Sequence, residues 1–245
     1  MRILAIESSE RLAQVGLFEK SKRVAESVPP ESISDPDSNQ NGPPVSDRPA
    51  QSSSRQLVPE IQALLDRADW KIQDIELICL TIGPGSFTGL RIGMVTAKAL
   101  CYAAGARIIG IPALQAIARQ TQERMQLTAG RTISVVVNAH RQQLFCSKFT
   151  AGTTELVVGD GAVSIENRAD WFEQVSSQDV VTGSGLKQLD SPLLESLAER
   201  VAPIDCWSPH TSMIARIGWE LAESGRYDDL WTIQPRYYRP SYAEI

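Results

Sequence analysis

The pattern that most restricts the fold lies in residues 75–112, where an apolar strand, a glycine-rich turn and an apolar helix follow one another. Residues 75–82 are nearly all apolar and rich in β-branched side chains. That composition favours a strand covered on both faces, as in an α/β sheet. Gly83, Pro84 and Gly85 end the strand, because proline has no N–H group to continue a ladder and glycine permits a sharp turn.

The helix after this turn has clear start and stop signals. Ser86 or Thr88 can cap its N-terminus, and Gly105 supplies a stop after about Ala104. A strand, a glycine turn and a helix N-terminus together form the geometry that places backbone N–H groups around an anion.

The turn departs from the known phosphate-binding loops. No Gly-Lys-Ser/Thr follows it, and Thr88 stands where Gly-x-Gly-x-x-Gly requires its third glycine, with Gly89 one place late. The residues favour a tight turn with close helix–sheet packing over a nucleotide loop.

The helix itself is apolar nearly all round. Its clearly polar positions between residues 90 and 104 are Arg91, Thr96, Lys98 and Tyr102. Such a helix packs on two sides. One side is its own sheet, and the other is a neighbouring helix or another protein chain.

Charge and cysteine content exclude several function classes. The 245 residues carry a net charge of −5. They contain no basic cluster, so unaided binding to a nucleic-acid backbone is not expected, although Arg236 and Arg239 hint at a local patch. The four separated cysteines form no Cys-x-x-Cys pair, which argues against zinc and redox sites. Without a signal peptide or a membrane-length apolar run, a cytoplasmic protein with no membrane partner is predicted.

The remaining elements alternate as in an α/β protein. Strands are predicted at 2–6, 12–18 and 22–28, a helix at 55–69 and a closing strand at 107–111, giving the order β-β-β-α-β-α-β. Residues 29–53 differ in character, with six of the fourteen prolines and six serines. That segment is predicted to be disordered or a long surface loop.

The second half repeats the opening of the first. Shifting the chain by 131 residues aligns the strand, polar turn and strand around Glu7 with those around Asn138. Two lobes built on one plan are predicted, at 1–111 and 112–245. The second contains a helix at 113–125, strands at 132–137 and 180–185, a helix at 211–224 that could pack across to the first lobe, and an extended tail at 234–240.

Four segments together resemble the TsaB (YeaZ) family. They are the opening Met-Arg-Ile-Leu-Ala-Ile-Glu-Ser-Ser, the segment Gly-Pro-Gly-Ser-Phe-Thr-Gly-Leu-Arg-Ile-Gly, the Asn-Ala-His-Arg hairpin and the Pro-Arg-Tyr-Tyr-Arg tail. The resemblance implies an actin/Hsp70-like (ASKHA) two-lobed α/β fold with two RNase H-like subdomains. It also implies a role in making N6-threonylcarbamoyladenosine (t6A) at position 37 of tRNA.

Members of this family are partners of the related transferase TsaD, which holds a metal through a His-x-x-x-His pair. In this chain those positions fall near Ala113 and Ile117, which cannot ligate a metal. The chain's two histidines, His140 and His210, are isolated in the sequence. No catalytic residue, metal or cofactor is therefore expected.

The wider superfamily binds nucleotide through an acidic residue at the end of each lobe's first strand. The corresponding residues here are Glu7 and Asn138, and Asn138 departs from the aspartate of many TsaB-like chains. A vestigial nucleotide or anion turn would comprise Glu7, Ser8, Ser9, Gly83, Gly85, Ser86, Thr88 and Gly89.

The resemblance predicts a non-catalytic dimerisation and activation subunit. Its first-lobe helices would pack against a TsaD-like transferase or against a second copy of the chain. A TsaE-like ATPase would belong to the same complex, and the chain would contact tRNA only indirectly. The predicted contacts are Leu57, Ile61, Leu64, Met94, Val95 and Lys98. The alternative is an ATP-binding transferase or a metallopeptidase-like enzyme of the same superfamily.

Overall fold

A computed structural model describes residues 1–27, 53–152, 157–158 and 162–239. The segment predicted to be disordered, 29–53, lies outside the described residues except for Ser53, the first residue of a helix. Pro240, the end of the predicted tail, also lies outside them.

The first half of the chain forms a five-stranded mixed sheet with two helices on one face. The sheet order is β3-β2-β1-β4-β5, with β1 antiparallel to β2 and parallel to β4, and β4 parallel to β5. The predicted order of elements is confirmed. The elements are β1 (Arg2–Glu7), β2 (Gln14–Glu19), β3 (Lys22–Glu26), α1 (Ser53–Ala68), β4 (Leu77–Thr81), α2 (Phe87–Ala104) and β5 (Arg107–Ile111).

Helix α2 starts and stops where its sequence predicts. The Ser86 hydroxyl oxygen accepts a hydrogen bond from the Gly89 N–H group at 3.2 Å, so Ser86 is the N-cap and Thr88 lies inside the helix. Gly105 has a φ of 70°, the left-handed conformation that ends helices and that glycine adopts without steric cost.

The second half forms another five-stranded sheet, in the order β10-β6-β7-β8 with β9 also pairing with β7. Helix α3 packs on one of its faces, and α4 packs against the other. The elements are α3 (Ala113–Arg124), β6 (Thr132–Asn138), β7 (Gln143–Thr150), β8 (Val157–Val158), β9 (Ser164–Asn167), α4 (Arg168–Gln174), β10 (Val180–Thr182), α5 (Ser191–Ser196) and α6 (Thr211–Glu223).

The sheet of each half begins with the same kind of antiparallel hairpin. Glu7 at the end of β1 pairs with Gln14, and Asn138 at the end of β6 pairs with Leu144. The predicted 131-residue repeat thus corresponds to two hairpins of like construction. The domain boundary at residues 111 and 112 stays a prediction.

Helix α6 packs on the face of the first sheet that α1 and α2 leave open. Leu4 and Ile6 of β1 face α1 and α2, whereas Ile3 and Ala5 face Ile214 of α6. Because side chains alternate along a strand, this packing buries β1 on both faces. It explains why the first-half strands read as nearly continuous apolar runs.

The C-terminal segment then crosses the edge of the first sheet. Asp228 forms a β-bridge with Ile108, and Ile233 is buried in the cluster beneath α1 and α2. The Arg236 N–H group donates to the Ile82 carbonyl oxygen at 2.7 Å. The segment is therefore held against the first sheet at three points.

No helix in the described part of the chain is long and apolar enough to cross a bilayer.

Gly218 provides a test of the contact between α6 and the first sheet. A Cβ atom at this position would lie 2.1 Å from Sγ of Cys79, a fully buried residue of β4. We expect Gly218→Ala to lower the free energy of unfolding in urea by about 1–3 kcal/mol, because overpacking outweighs the better helix propensity of alanine.

The double variant Gly218→Ala/Cys79→Ala is the matched control. Removing Sγ makes room for the new methyl group, so the double variant should be more stable than the sum of the two single effects by ~1 kcal/mol or more. Strict additivity would contradict the close contact.

Candidate functional site

The turn after β1 and the turn after β4 meet at the carboxyl edge of the first sheet. The Ser86 N–H group donates to the Ser9 carbonyl oxygen at 2.6 Å. The Ser8 N–H group donates to Oγ1 of Thr81, at the end of β4, at 3.1 Å. The structure therefore brings together the residues predicted from sequence to form an anion turn.

Glycines allow these two turns to approach until no space is left between them. A Cβ atom on Gly85 would lie 2.2 Å from the Ser9 carbonyl oxygen, and one on Gly89 would lie 2.2 Å from the Ser8 carbonyl oxygen. Such distances exclude any side chain there. The backbone of Ser8 and Ser9 therefore packs directly against Gly85 and the first turn of α2, in the tight packing that the sequence favoured.

Glu7 holds the first turn together from the inside. Its side chain is fully buried, and Oε1 accepts hydrogen bonds from the Ser9 N–H and hydroxyl groups, both at 2.6 Å, and from the Glu10 N–H group at 3.1 Å. Burial raises the pKa of Glu7 to about 7, although the hydrogen bonds from Ser9 oppose that shift. Through Oε1 this carboxyl group organises its own turn.

Asn138 has the same role in the second hairpin without a charge. Its Oδ1 atom accepts a hydrogen bond from the His140 N–H group at 2.8 Å, two residues along, as Glu7 accepts from Ser9. The turn contains three consecutive non-glycine residues with positive φ, at 60°, 52° and 60° for His140, Arg141 and Gln142.

The positions that correspond to the transferase's metal ligands lie in the protein interior. Ala113 and Ile117 are buried in α3, and Ile117 packs in the cluster between α3 and the second sheet. Across the described ranges, no group of three or more His, Cys, Asp or Glu residues is placed to hold a metal ion. The four cysteines are free thiols and are buried.

A stripe of exposed side chains runs along α2 in the first half of the chain. Phe87, Arg91, Val95, Lys98 and Tyr102 follow one another at spacings of three or four residues, so they lie on one face of the helix. Val95 is 69% exposed and Tyr102 is 74% exposed. Large apolar side chains at such exposure mark a surface for another molecule when they are contiguous.

The structure corrects most of the contacts predicted from sequence. Leu57, Ile61, Leu64 and Met94 belong to the core cluster between the two helices and the first sheet, and each is at most 4% exposed. The prediction selected the more apolar face of each helix, and that face covers the helix's own sheet. Of the six predicted residues, Val95 and Lys98 lie on the outer side.

Two further residues of this surface come from the C-terminal segment. The Trp231 ring lies edge-on to the Tyr102 ring with centroids 6.2 Å apart. The backbone carbonyl oxygen of Trp231 accepts a hydrogen bond from Lys98 Nζ at 3.1 Å. The Tyr237 ring lies 4.9 Å from that of Phe87. The sequence shows an extended aromatic tail, but nothing in it indicates that the tail lies along α2.

These seven residues form what we call the α2 face: Phe87, Arg91, Val95, Lys98, Tyr102, Trp231 and Tyr237. Aromatic residues and arginine are enriched at protein–protein interfaces relative to other surface. The α2 face therefore has the composition of a docking surface.

Comparison with known proteins gives the chain's relationships. A family model described as TsaD, tRNA N6-adenosine threonylcarbamoyltransferase, matches residues 45–192, more than half of the chain. The chain belongs to this family.

Within the family, its curated relatives include TsaB proteins. The tRNA threonylcarbamoyladenosine biosynthesis protein TsaB of Bacillus subtilis (strain 168) is 31% identical over 128 residues, which are 51% of this chain and 52% of the relative. The Escherichia coli (strain K12) protein of that name is 24% identical over 168 residues, 62% of this chain and 71% of the relative. The chain spans about half the length of the first curated relatives it matches. The resemblance to the TsaB (YeaZ) family is confirmed.

Solved structures confirm the predicted fold class. A Pseudomonas aeruginosa protein described as similar to peptidase YEAZ superposes with a TM-score of 0.70 at 17% identity, covering 97% of this chain and 99% of its own. YeaZ from Pseudomonas aeruginosa superposes with a TM-score of 0.68 at 16% identity, covering 96% and 99%. The chain has the actin-like α/β fold with two RNase H-like units.

The buried carboxyl group of Glu7 makes stability depend on pH. The folded chain keeps this proton up to about pH 7, whereas the unfolded chain releases it near pH 4.5. The folded state therefore binds more protons between these values, and the free energy of unfolding must fall as the pH rises through them. Relative to that of Glu7→Gln, the free energy of unfolding of the unaltered chain should fall by about 3 kcal/mol between pH 4.5 and pH 8. Urea unfolding at a series of pH values measures this difference.

Glu195→Gln is the control for this measurement, because Glu195 is exposed on α5. Its pH profile should run parallel to that of the unaltered chain. Parallel profiles for Glu7→Gln and the unaltered chain would instead show that Glu7 is ionised at no cost in the folded state.

Proposed function

We propose that this chain is a non-catalytic subunit in the synthesis of t6A at position 37 of tRNA, acting in the cytoplasm. It activates a TsaD-like transferase by docking on it through the α2 face. The curated relatives named TsaB are described as tRNA threonylcarbamoyladenosine biosynthesis proteins, which supports the pathway. The observation that carries the docking role is the exposed row of apolar and aromatic side chains on α2, continued by Trp231 and Tyr237.

The chain's own residues argue against catalysis. Ala113 and Ile117 offer only carbon atoms where the transferase places its metal-binding histidines. The Glu7 carboxyl group is buried within its own turn, and the backbone of Ser8 and Ser9 packs directly against the first turn of α2. The turn that binds nucleotide in the wider superfamily therefore has a structural role in this chain.

The docking surface extends from the α2 face onto α1. Val58 of α1 is 56% exposed, and Ala99 and Ala103 of α2 are exposed small residues that let a partner helix approach closely. Two helices of this lobe would pack against two helices of the transferase. A TsaE-like ATPase completes the machinery, tRNA is reached through the transferase, and a second copy of the chain is the competing occupant of the same surface.

Val95 lies in the middle of the α2 face and gives the direct test. Val95→Gln places an amide group where the partner supplies apolar contacts, and an unsatisfied buried polar group costs about 1–3 kcal/mol. We expect weaker binding to a purified TsaD-like transferase in titration calorimetry, and a matching loss of threonylcarbamoyl transfer to tRNA at subunit concentrations near the dissociation constant.

Ile204→Gln is the matched control, because Ile204 is 70% exposed and lies in the second half of the chain, away from α2. It should bind and activate the transferase as the unaltered chain does. If the unaltered chain neither binds the transferase nor raises its activity, the proposed function is wrong. If Val95→Gln binds normally, the docking surface lies elsewhere.

A further inference from the structure

Arg91 is held in a fixed position on the α2 face by two aromatic rings. Its guanidinium carbon lies 3.9 Å from the centre of the Phe87 ring and 5.7 Å from that of Tyr237. Its Nε–H group donates a hydrogen bond to the Tyr237 hydroxyl oxygen at 3.0 Å. Ring contacts and a hydrogen bond together orient the planar group, although the side chain is exposed.

The two terminal nitrogens of Arg91 are left without partners among the described residues. A guanidinium group has five N–H donors, and Tyr237 takes one of them. No carboxylate of the described chain lies within ion-pair distance of Arg91. Arg119 and Arg216 differ in this respect, because both are paired with Glu123 and Glu220.

An oriented guanidinium with a free edge matches the geometry of a carboxylate. Two parallel N–H groups of arginine can donate to the two oxygens of an aspartate or glutamate, which gives both strength and direction. Docking would lower the dielectric constant around this pair and strengthen its Coulombic attraction, and two parallel hydrogen bonds would offset the cost of removing water from both charges.

We propose that Arg91 binds an aspartate or glutamate side chain of the transferase, and that Phe87 and Tyr237 position it to do so. The inference rests on the proposed function and adds the chemistry of the partner: an apolar helix surface that carries a carboxylate opposite Arg91. The C-terminal segment thereby becomes part of the recognition site, since Tyr237 orients the arginine.

Charge favours a different protein over a second copy of this chain. Helix α2 contains no acidic residue, so a second copy that docked through its own α2 would offer Arg91 no carboxylate from that helix. The nearest part of the C-terminal segment offers Asp228 and Asp229, but both carboxylates already accept backbone hydrogen bonds, from Gly110 and from Trp231 and Thr232.

The test is the affinity of the full chain for the purified transferase, measured by titration calorimetry at low and high salt. Arg91→Gln should weaken binding roughly 30-fold or more and reduce its dependence on salt. Arg91→Lys should still lower the affinity about tenfold, because the ammonium group keeps the charge but lacks the planar fork. Tyr237→Phe, which keeps the ring and removes the hydroxyl group, should lower the affinity severalfold. Each variant should keep the thermal midpoint of the unaltered chain.

Arg124→Gln is the charge-matched control. Arg124 is exposed and pairs with Asp205 in the second half of the chain, so its removal should leave binding within twofold. Replacing each acidic residue on the transferase's docking helices by its amide should reveal one variant whose effect is not additive with Arg91→Gln.

The outcomes separate this inference from the proposed function. Failure of the unaltered chain to bind the transferase would overturn both. Normal binding with Arg91→Gln within threefold of it, or with Arg91→Lys at full affinity, would overturn the carboxylate pairing and leave the docking role intact. The carboxylate pairing would also be overturned if Arg91→Gln impaired only self-association or only the binding of tRNA.

Discussion

The contact between the turn after β1 and the turn after β4 is the constraint on which the first sheet and its helices depend. The Ser8–Ser9 backbone leaves Gly85 and Gly89 no room for a side chain, and the Ser8 side chain leaves none at Gly93. Gly89 and Gly93 are one helical turn apart, so the contact fixes both the position of α2 and its rotation about its own axis. With that side against β1, and with Met94 and its neighbours against the sheet, one face remains outward.

The same contact gives the carboxyl edge of the first sheet a structural role. The hydrogen bonds that Glu7 accepts stabilise the turn, and the burial that they require raises its pKa. The backbone of Ser8 and Ser9 packs against the first turn of α2. The second hairpin reaches an equivalent turn with the neutral Asn138, whose amide oxygen accepts the corresponding N–H group. In both halves the residue at the strand end now serves the fold.

Much of the fold could be predicted from local signals in the sequence. The apolar β-branched runs, Ser86 as a cap and Gly105 as a stop act over a few residues, and the structure retains all of them. The exposed residues of the α2 face could not be predicted in this way. The apolar pattern of a helix does not reveal whether its apolar side covers its own sheet or a partner, and Leu57, Ile61, Leu64 and Met94 belong to the core.

By itself, the sequence determined the elements, their order and the closed glycine turn, because these depend on backbone conformation and on neighbours within a few positions. Tertiary structure alone decided that Val95 and Arg91 face outward and that Trp231 and Tyr237 lie beside them. Those placements join residues more than 130 positions apart, as in the hydrogen bonds from Lys98 to Trp231 and from Arg91 to Tyr237. Such contacts follow from how α6 and the C-terminal segment cross the first sheet, and no local pattern encodes that path.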